Sequence, residues 1–173
     1  MTTYINLFGG PGVGKSTIAA GLFHFMKRND YDVELVTEFA KDLVWEDRAS
    51  TLQIQPYVSM KQFRNLARLQ GKVEYVITDS PIIKDSVYAR RFAPDLPQSY
   101  HELLKFLHNH LGDSINILLT RTHAYDTNGR LQTETEAVEL DKELKFLLEL
   151  NDIDYFEVEP NIDDIIEVLY QGL

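Results

Sequence analysis

The stretch Phe8–Thr17, FGGPGVGKST, gathers glycines, a lysine and two adjacent hydroxyls, the groups that most often hold phosphate. Within it Gly9–Ser16 fits the pattern G-x-x-x-x-G-K-[ST], and the stretch lies between an apolar run, Tyr4–Phe8, and a helical repeat of Ile18, Leu22, Phe25 and Met26. In that setting the backbone through Gly10, Gly12, Val13 and Gly14 wraps N–H groups around phosphate oxygens. Lys15 reaches the β- and γ-phosphates, while Ser16 offers its hydroxyl to Mg2+ and Thr17 completes the loop. The positive end of the helix that opens here adds to the attraction. The residues therefore predict a site for a nucleoside triphosphate, with ATP and Mg2+ as cofactors.

Further candidates for chemistry lie far along the chain. Asp79 ends the apolar run Val73–Thr78, the usual position of an acid that holds Mg2+ directly or through water; an aspartate there also suits the N-cap of a following helix. Glu38, in LVTEFAK, follows a second apolar run, Val33–Thr37. If a phosphoryl acceptor is a hydroxyl, Glu38 or Asp79 takes its proton; if it is an ionised phosphate, Glu38 only positions it. An acid in a first helical turn, stabilising the helix dipole, is the plainer reading of Glu38. The polar segment 121–132, RTHAYDTNGRLQ, has the composition of a lid, and its Arg121 and Arg130 would pair with phosphoryl oxygens on closing. Lys61, Arg64 and Arg68 share one face of a helix at spacing i, i+3, i+7; they would line a pocket for an anionic acceptor, or form an ordinary solvated basic face. His101, His108 and His110 are not spaced to share one helix face, so no metal site is expected there.

What the chain lacks narrows the chemistry. Asp79 is followed by Ser80, where ATPases that remodel other molecules carry a water-polarising glutamate, and the guanine-reading N-K-x-D pattern is missing. Transfer of the γ-phosphoryl group to a bound acceptor remains, with a nucleotide-dependent switch as the alternative from a different class.

These side chains need elements that bring them together. Apolar runs at Tyr4–Phe8, Val33–Thr37, Val73–Thr78, Ile115–Leu119 and Asp154–Val158 predict five strands, each followed by helical periodicity. A helix opens at Pro56, with Met60, Phe63 and Ala67 marking its apolar side, and Gly71 closes it. Another opens at a T-x-x-E capping box, Thr133 with Glu136, and carries the stripe Ala137, Leu140, Leu144 and Leu147. Such alternation predicts an α/β fold: a three-layer P-loop NTPase fold with a five-stranded, mostly parallel sheet and a polar lid loop. In that class ligands sit at the carboxyl ends of the strands, and the phosphate loop, Glu38, Asp79 and Arg121 all fall at such ends.

Composition bounds the rest. A chain of 173 residues with 44% hydrophobic side chains suits one core, and a single domain spanning 1–173 is expected. The net charge of −10 disfavours non-specific duplex binding, so DNA enters only as a conceivable substrate. There is no cysteine, hence no disulfide or thiolate metal site. The sequence has neither a secretory leader nor a membrane span, and a cytoplasmic location is expected.

The phosphate loop together with VTEFAK, ITDSP and GRLQTETEA resembles the small P-loop kinases related to nicotinamide-riboside kinases and to deoxynucleoside and nucleotide kinases, a type often encoded by bacteriophages. The resemblance implies an ATP- and Mg2+-dependent kinase with a nucleoside, nucleotide or related small acceptor. It also implies roles for Lys15, Ser16 and Thr17 at ATP, Glu38 or Asp79 at the acceptor, and Arg121 with Arg130 in the lid. Phage relatives extend the implied acceptors to 5-hydroxymethyluracil within DNA. One departure stands out: T-D-S follows the third strand where deoxynucleoside kinases tend to carry E-R-S, which gives Asp79 a mixed metal and base role.

Overall fold

The computed structural model describes residues 1–122 and 133–172. Five strands, β1 (Thr3–Phe8), β2 (Val33–Val36), β3 (Tyr75–Thr78), β4 (Ser114–Leu119) and β5 (Phe156–Val158), form one sheet in the order β2-β3-β1-β4-β5. Every pairing is parallel, so the mostly parallel sheet expected is wholly parallel. Parallel neighbours need crossovers, and the helices supply them: α1 (Lys15–Arg28), α2 (Phe39–Trp45), α3 (Gln55–Ala67), α4 (Asp85–Phe92), α5 (Gln98–His110), α6 (Glu134–Leu150) and α7 (Ile162–Gly172).

Strand β1 is central and buried along nearly its whole length, which is why it is an apolar run rather than an alternation. Its side chains still divide between faces. Ile5 and Leu7 join Ile18, Ala19, Leu22 and Met26 of α1 and Ile165 and Leu169 of α7. Tyr4 packs with Leu66 of α3 and Leu104 of α5, and Phe8 with Leu140, Leu144 and Leu147 of α6. Two apolar layers on opposite faces make the three-layer arrangement.

A polar pair lies within the sheet. Asn6 of β1 donates to Asn116 Oδ1 of β4 at 2.9 Å, and Asn116 donates onward to the Asp154 carbonyl at 3.1 Å. A buried amide without partners is costly, so slipping either strand by one residue would strand both asparagines. The fifth strand is shorter than its apolar run and begins at Phe156 rather than at Asp154, whose carbonyl accepts the Asn116 bond.

Helix α3 departs from its expected facing. Met60, Phe63 and Ala67 are half-buried, while the fully buried stripe is Gln55, Val58, Ser59, Gln62 and Leu66. Polar side chains enter because the interior offers them partners. Gln62 accepts from Phe39 N at 3.0 Å and donates to the Ser80 carbonyl at 3.1 Å, while Ser59 bonds the Tyr100 hydroxyl at 2.7 Å. Helix α6 matches expectation: Thr133 and Glu136 form a reciprocal capping box over the stripe Ala137, Leu140, Leu144, Leu147 and Leu148.

Candidate functional site

The loop between β1 and α1 lies at the carboxyl end of the central strand, and backbone geometry fixes its sequence. Gly14 precedes α1 at φ 100°, a left-handed conformation that only glycine adopts without strain. At Gly10 the limit is space: a Cβ there would come within 2.6 Å of Asp141 Oδ1 and 2.7 Å of the Ala137 carbonyl. Val13 anchors the loop by its side chain, which is buried in the apolar cluster that holds Ile5, Ile18 and Leu22. Ser16 and Thr17 are exposed at the start of α1, whose N-terminus faces the same space.

Lys15 folds back over the loop, its ammonium donating to the Gly9 and Gly10 carbonyls at 2.7 and 2.8 Å. Burial pushes it down to about 8; nearby Lys84 adds to the shift, while Glu38, Asp79 and Asp141 oppose it. A phosphate anion placed against Lys15 would reverse the balance and favour the charged form.

Asp79 closes β3 and is 3% exposed. Its Oδ2 accepts from the Ser16 hydroxyl at 2.7 Å, and its Oδ1 is a buried oxygen with no hydrogen-bond partner among the described residues. A carboxylate with a free oxygen beside a serine hydroxyl is the hard oxygen set that Mg2+ accepts, completed in such sites by phosphate oxygens and water. The alternative reading of Asp79 as a helix cap does not fit: the turn after it, Ile82–Lys84, has Pro81 at its N-cap position.

Glu38 lies just beyond β2 at the N-cap position of α2, yet its side chain makes no capping bond. Its Oε1 accepts instead from Lys84 Nζ at 2.5 Å. Burial pushes the Glu38 carboxyl up, but Lys84 and Lys15 together outweigh it and hold the group below the usual carboxylate range. Lys84 is 2% exposed, and its ammonium also lies 5.0 Å from the centre of the Tyr88 ring. Burial alone would lower its pKa; the Glu38 carboxylate reverses this and keeps it charged.

Arg121, beyond β4, lies against the phosphate loop. It donates through Nε to Asp141 Oδ2 at 2.8 Å and through a terminal nitrogen to the Pro11 carbonyl at 2.9 Å. Asp141 Oδ1 accepts from Gly10 N at 2.5 Å, so one carboxylate on α6 braces both the loop and the arginine. Arg130 lies outside the described residues.

The fold thus gathers Lys15, Ser16, Glu38, Asp79 and Arg121 at one edge of the sheet. Lys61, Arg64 and Arg68 are all exposed on α3, and Lys61 sits 5.5 Å from the Tyr57 ring centre. His101 bonds the Ser86 hydroxyl at 2.6 Å, while burial pushes His108 down to about 4. Sequence reasoning missed Lys84, Asp141 and Gln62. The one local hint was a lysine following PII after the third strand, in a segment otherwise apolar.

Comparison with known proteins bears on the fold and the family. Among solved structures the chain is similar to deoxyadenosine kinase from M. mycoides with bound dATP, at TM-score 0.59, 18% identity and 98% coverage of both chains. The same enzyme with products dCMP and a flexible dCDP matches at TM-score 0.60 and 20% identity, covering 98% of this chain and 97% of that one. NadR in complex with NR matches at TM-score 0.70 and 14% identity over 99% of this chain and 52% of its own. The chain therefore shares the fold of deoxyadenosine kinase and NadR. A sequence search of curated proteins finds no match. A family model described as an AAA domain matches residues 4–164, nearly the whole chain, and the protein belongs to that family.

Proposed function

We propose that the protein is an ATP- and Mg2+-dependent kinase that transfers the γ-phosphoryl group to a nucleoside, nucleotide or related small acceptor. The observation that carries the reading is the half-exposed carboxylate of Glu38, tied to Lys84 at the sheet edge that also holds Lys15. A protein that only bound and released nucleotide would have no use for an ionised carboxylate held beside the phosphate lysine. The structural likeness to a kinase with bound dATP supports the same choice.

In this reading the loop amides and Lys15 hold the β- and γ-phosphates, and Ser16 and Asp79 would hold Mg2+, which neutralises phosphate charge when bound. The acceptor oxygen forms a bond to the γ-phosphorus as the bond to the bridging β–γ oxygen breaks, and ADP leaves. Where the acceptor is a hydroxyl, Glu38 takes its proton; where it is a phosphate, Glu38 only orients it. Arg121, released from Asp141, and Arg130 would add charge around the transferred group.

The test is incubation with γ-labelled ATP and Mg2+ against a panel of nucleosides, nucleoside monophosphates, nicotinamide riboside and hydroxymethylated DNA, with products identified by mass spectrometry. Label on a nucleoside, a nucleotide or nicotinamide riboside supports the reading, whereas label on the DNA alone replaces its small acceptor with a polymer. ADP formation that no acceptor accelerates would overturn it in favour of a slow nucleotide switch.

A further inference from the structure

A lysine whose side chain is 2% exposed is an unusual investment, because removing an ammonium from water is expensive unless a partner compensates. Lys84 lies in the short turn Ile82–Lys84, between the end of β3 and the start of α4, with Ile82 and Ile83 buried beside it. Its partner comes from a different part of the chain: Glu38, beyond β2, at 2.5 Å. The Tyr88 ring, one turn into α4, supports the ammonium from 5.0 Å. The two partners are buried unequally, since the Glu38 side chain is 28% exposed. The pair therefore presents a carboxylate at the surface of the site and hides the cation that fixes it.

We propose that Lys84 is a positioning residue for phosphoryl transfer, anchoring Glu38 Oε1 from below so that Oε2 is held at the sheet edge to meet the acceptor. This rests on the kinase reading above. A glutamate side chain has three rotatable bonds, and an unanchored Glu38 at the N-cap position of α2 would be free to turn toward the adjacent helix amides. Lys84 prevents that by holding Oε1.

The charged and titratable groups around Glu38 come from each neighbouring element: Lys15 at the start of α1, Lys41 on α2, Lys84 in the turn after β3, and Asp85 and Tyr88 on α4. Among the cations acting on it, Lys84 is the strongest, ahead of Lys15 and Lys41. Removing Lys84 should let burial prevail and raise the pH at which Glu38 gains its proton.

The experiment compares wild type, Lys84→Met, Glu38→Gln and the double variant. Acceptor-dependent kcat, KM for the acceptor and ATP affinity are measured across pH, and the Glu38 carboxyl is titrated by carbon NMR in wild type and Lys84→Met. Lys84→Met is expected to lower kcat by about tenfold to a hundredfold, with ATP affinity within about twofold of wild type. The acid limb of its rate profile should move to higher pH together with the Glu38 titration. The double variant should be no slower than Glu38→Gln, because Lys84 acts through Glu38. Unchanged kcat in a folded Lys84→Met protein, an unmoved Glu38 titration, or additive losses in the double variant would each overturn the inference. Wild type that turns over no acceptor defeats the kinase reading itself, and the Glu38 titration then decides separately whether Lys84 controls the carboxylate.

Discussion

The Ser16 hydroxyl and the Asp79 carboxylate meet at 2.7 Å, joining the first turn of α1 to the end of β3, while the other Asp79 oxygen is buried with no hydrogen-bond partner among the described residues. A carboxylate oxygen left in this condition costs stability, and a bound cation would offset that cost. The parallel pairing of β1 with β3, with Asn6 opposite Thr78, is what sets Asp79 beside the loop that follows β1.

If Asp79 and Ser16 hold Mg2+, the loss on removing the carboxylate charge should depend on the ion. Asp79→Asn is expected to weaken MgATP binding by about tenfold or more and to change binding of metal-free ATP little. Titration calorimetry with and without Mg2+ measures both. Equal losses in the two conditions would assign Asp79 a purely structural role.

Gln62 links α3 to the start of α2 and to Ser80, and it is 2% exposed. Gln62→Leu preserves volume but leaves the Phe39 N–H and the Ser80 carbonyl without that partner. It should destabilise the protein by about 2–4 kcal/mol, seen as a lower urea midpoint. Because Glu38 immediately precedes Phe39 and Ser80 follows Asp79, activity should fall as well, by displacement of both carboxylates.

Two buried groups should leave opposing marks on stability against pH. Burial pushes His108 down to about 4, so the folded state resists its protonation; the stability this provides is present above about pH 6.5 and is lost as pH falls toward 4. Burial pushes Asp85 up to about 6, so its contribution runs the other way: stability is present below about pH 4 and is lost as pH rises through 6. Each is on the order of 3 kcal/mol, and between pH 4 and 6 they offset one another. His108→Gln should therefore gain stability on acidification across that window, and Asp85→Asn should lose it. Chemical denaturation at stepped pH measures both slopes; parallel slopes in the two variants would contradict the assignment.

The phosphate loop was legible because everything it needs is local: a strand, glycines for backbone approach, and a helix start within one stretch. Glu38, Asp79 and Arg121 were legible for a different reason, since a parallel sheet sends every strand's carboxyl end to the same edge. What could not be read was which side chains hold these groups in place. Lys84 serves Glu38 from 46 residues away, and Asp141 braces Gly10 across 131, so neither relationship leaves a periodic trace in the sequence. The facing of α3 misled for a related reason. Hydrophobic periodicity assumes that polar residues seek water, and Gln62 and Ser59 instead find partners inside. Lys61, Arg64 and Arg68 share a face as their spacing requires, but that face is the exposed one.

The central claim is that the loop holding Lys15 serves transfer to an acceptor. The direct measurement is acceptor-dependent ADP formation by wild type and by Lys15→Ala, with circular dichroism to establish that the variant is folded. The account predicts that an acceptor accelerates ADP formation by wild type and that Lys15→Ala loses about a hundredfold or more of that rate while keeping its secondary structure. A folded Lys15→Ala protein with the full wild-type rate would contradict it.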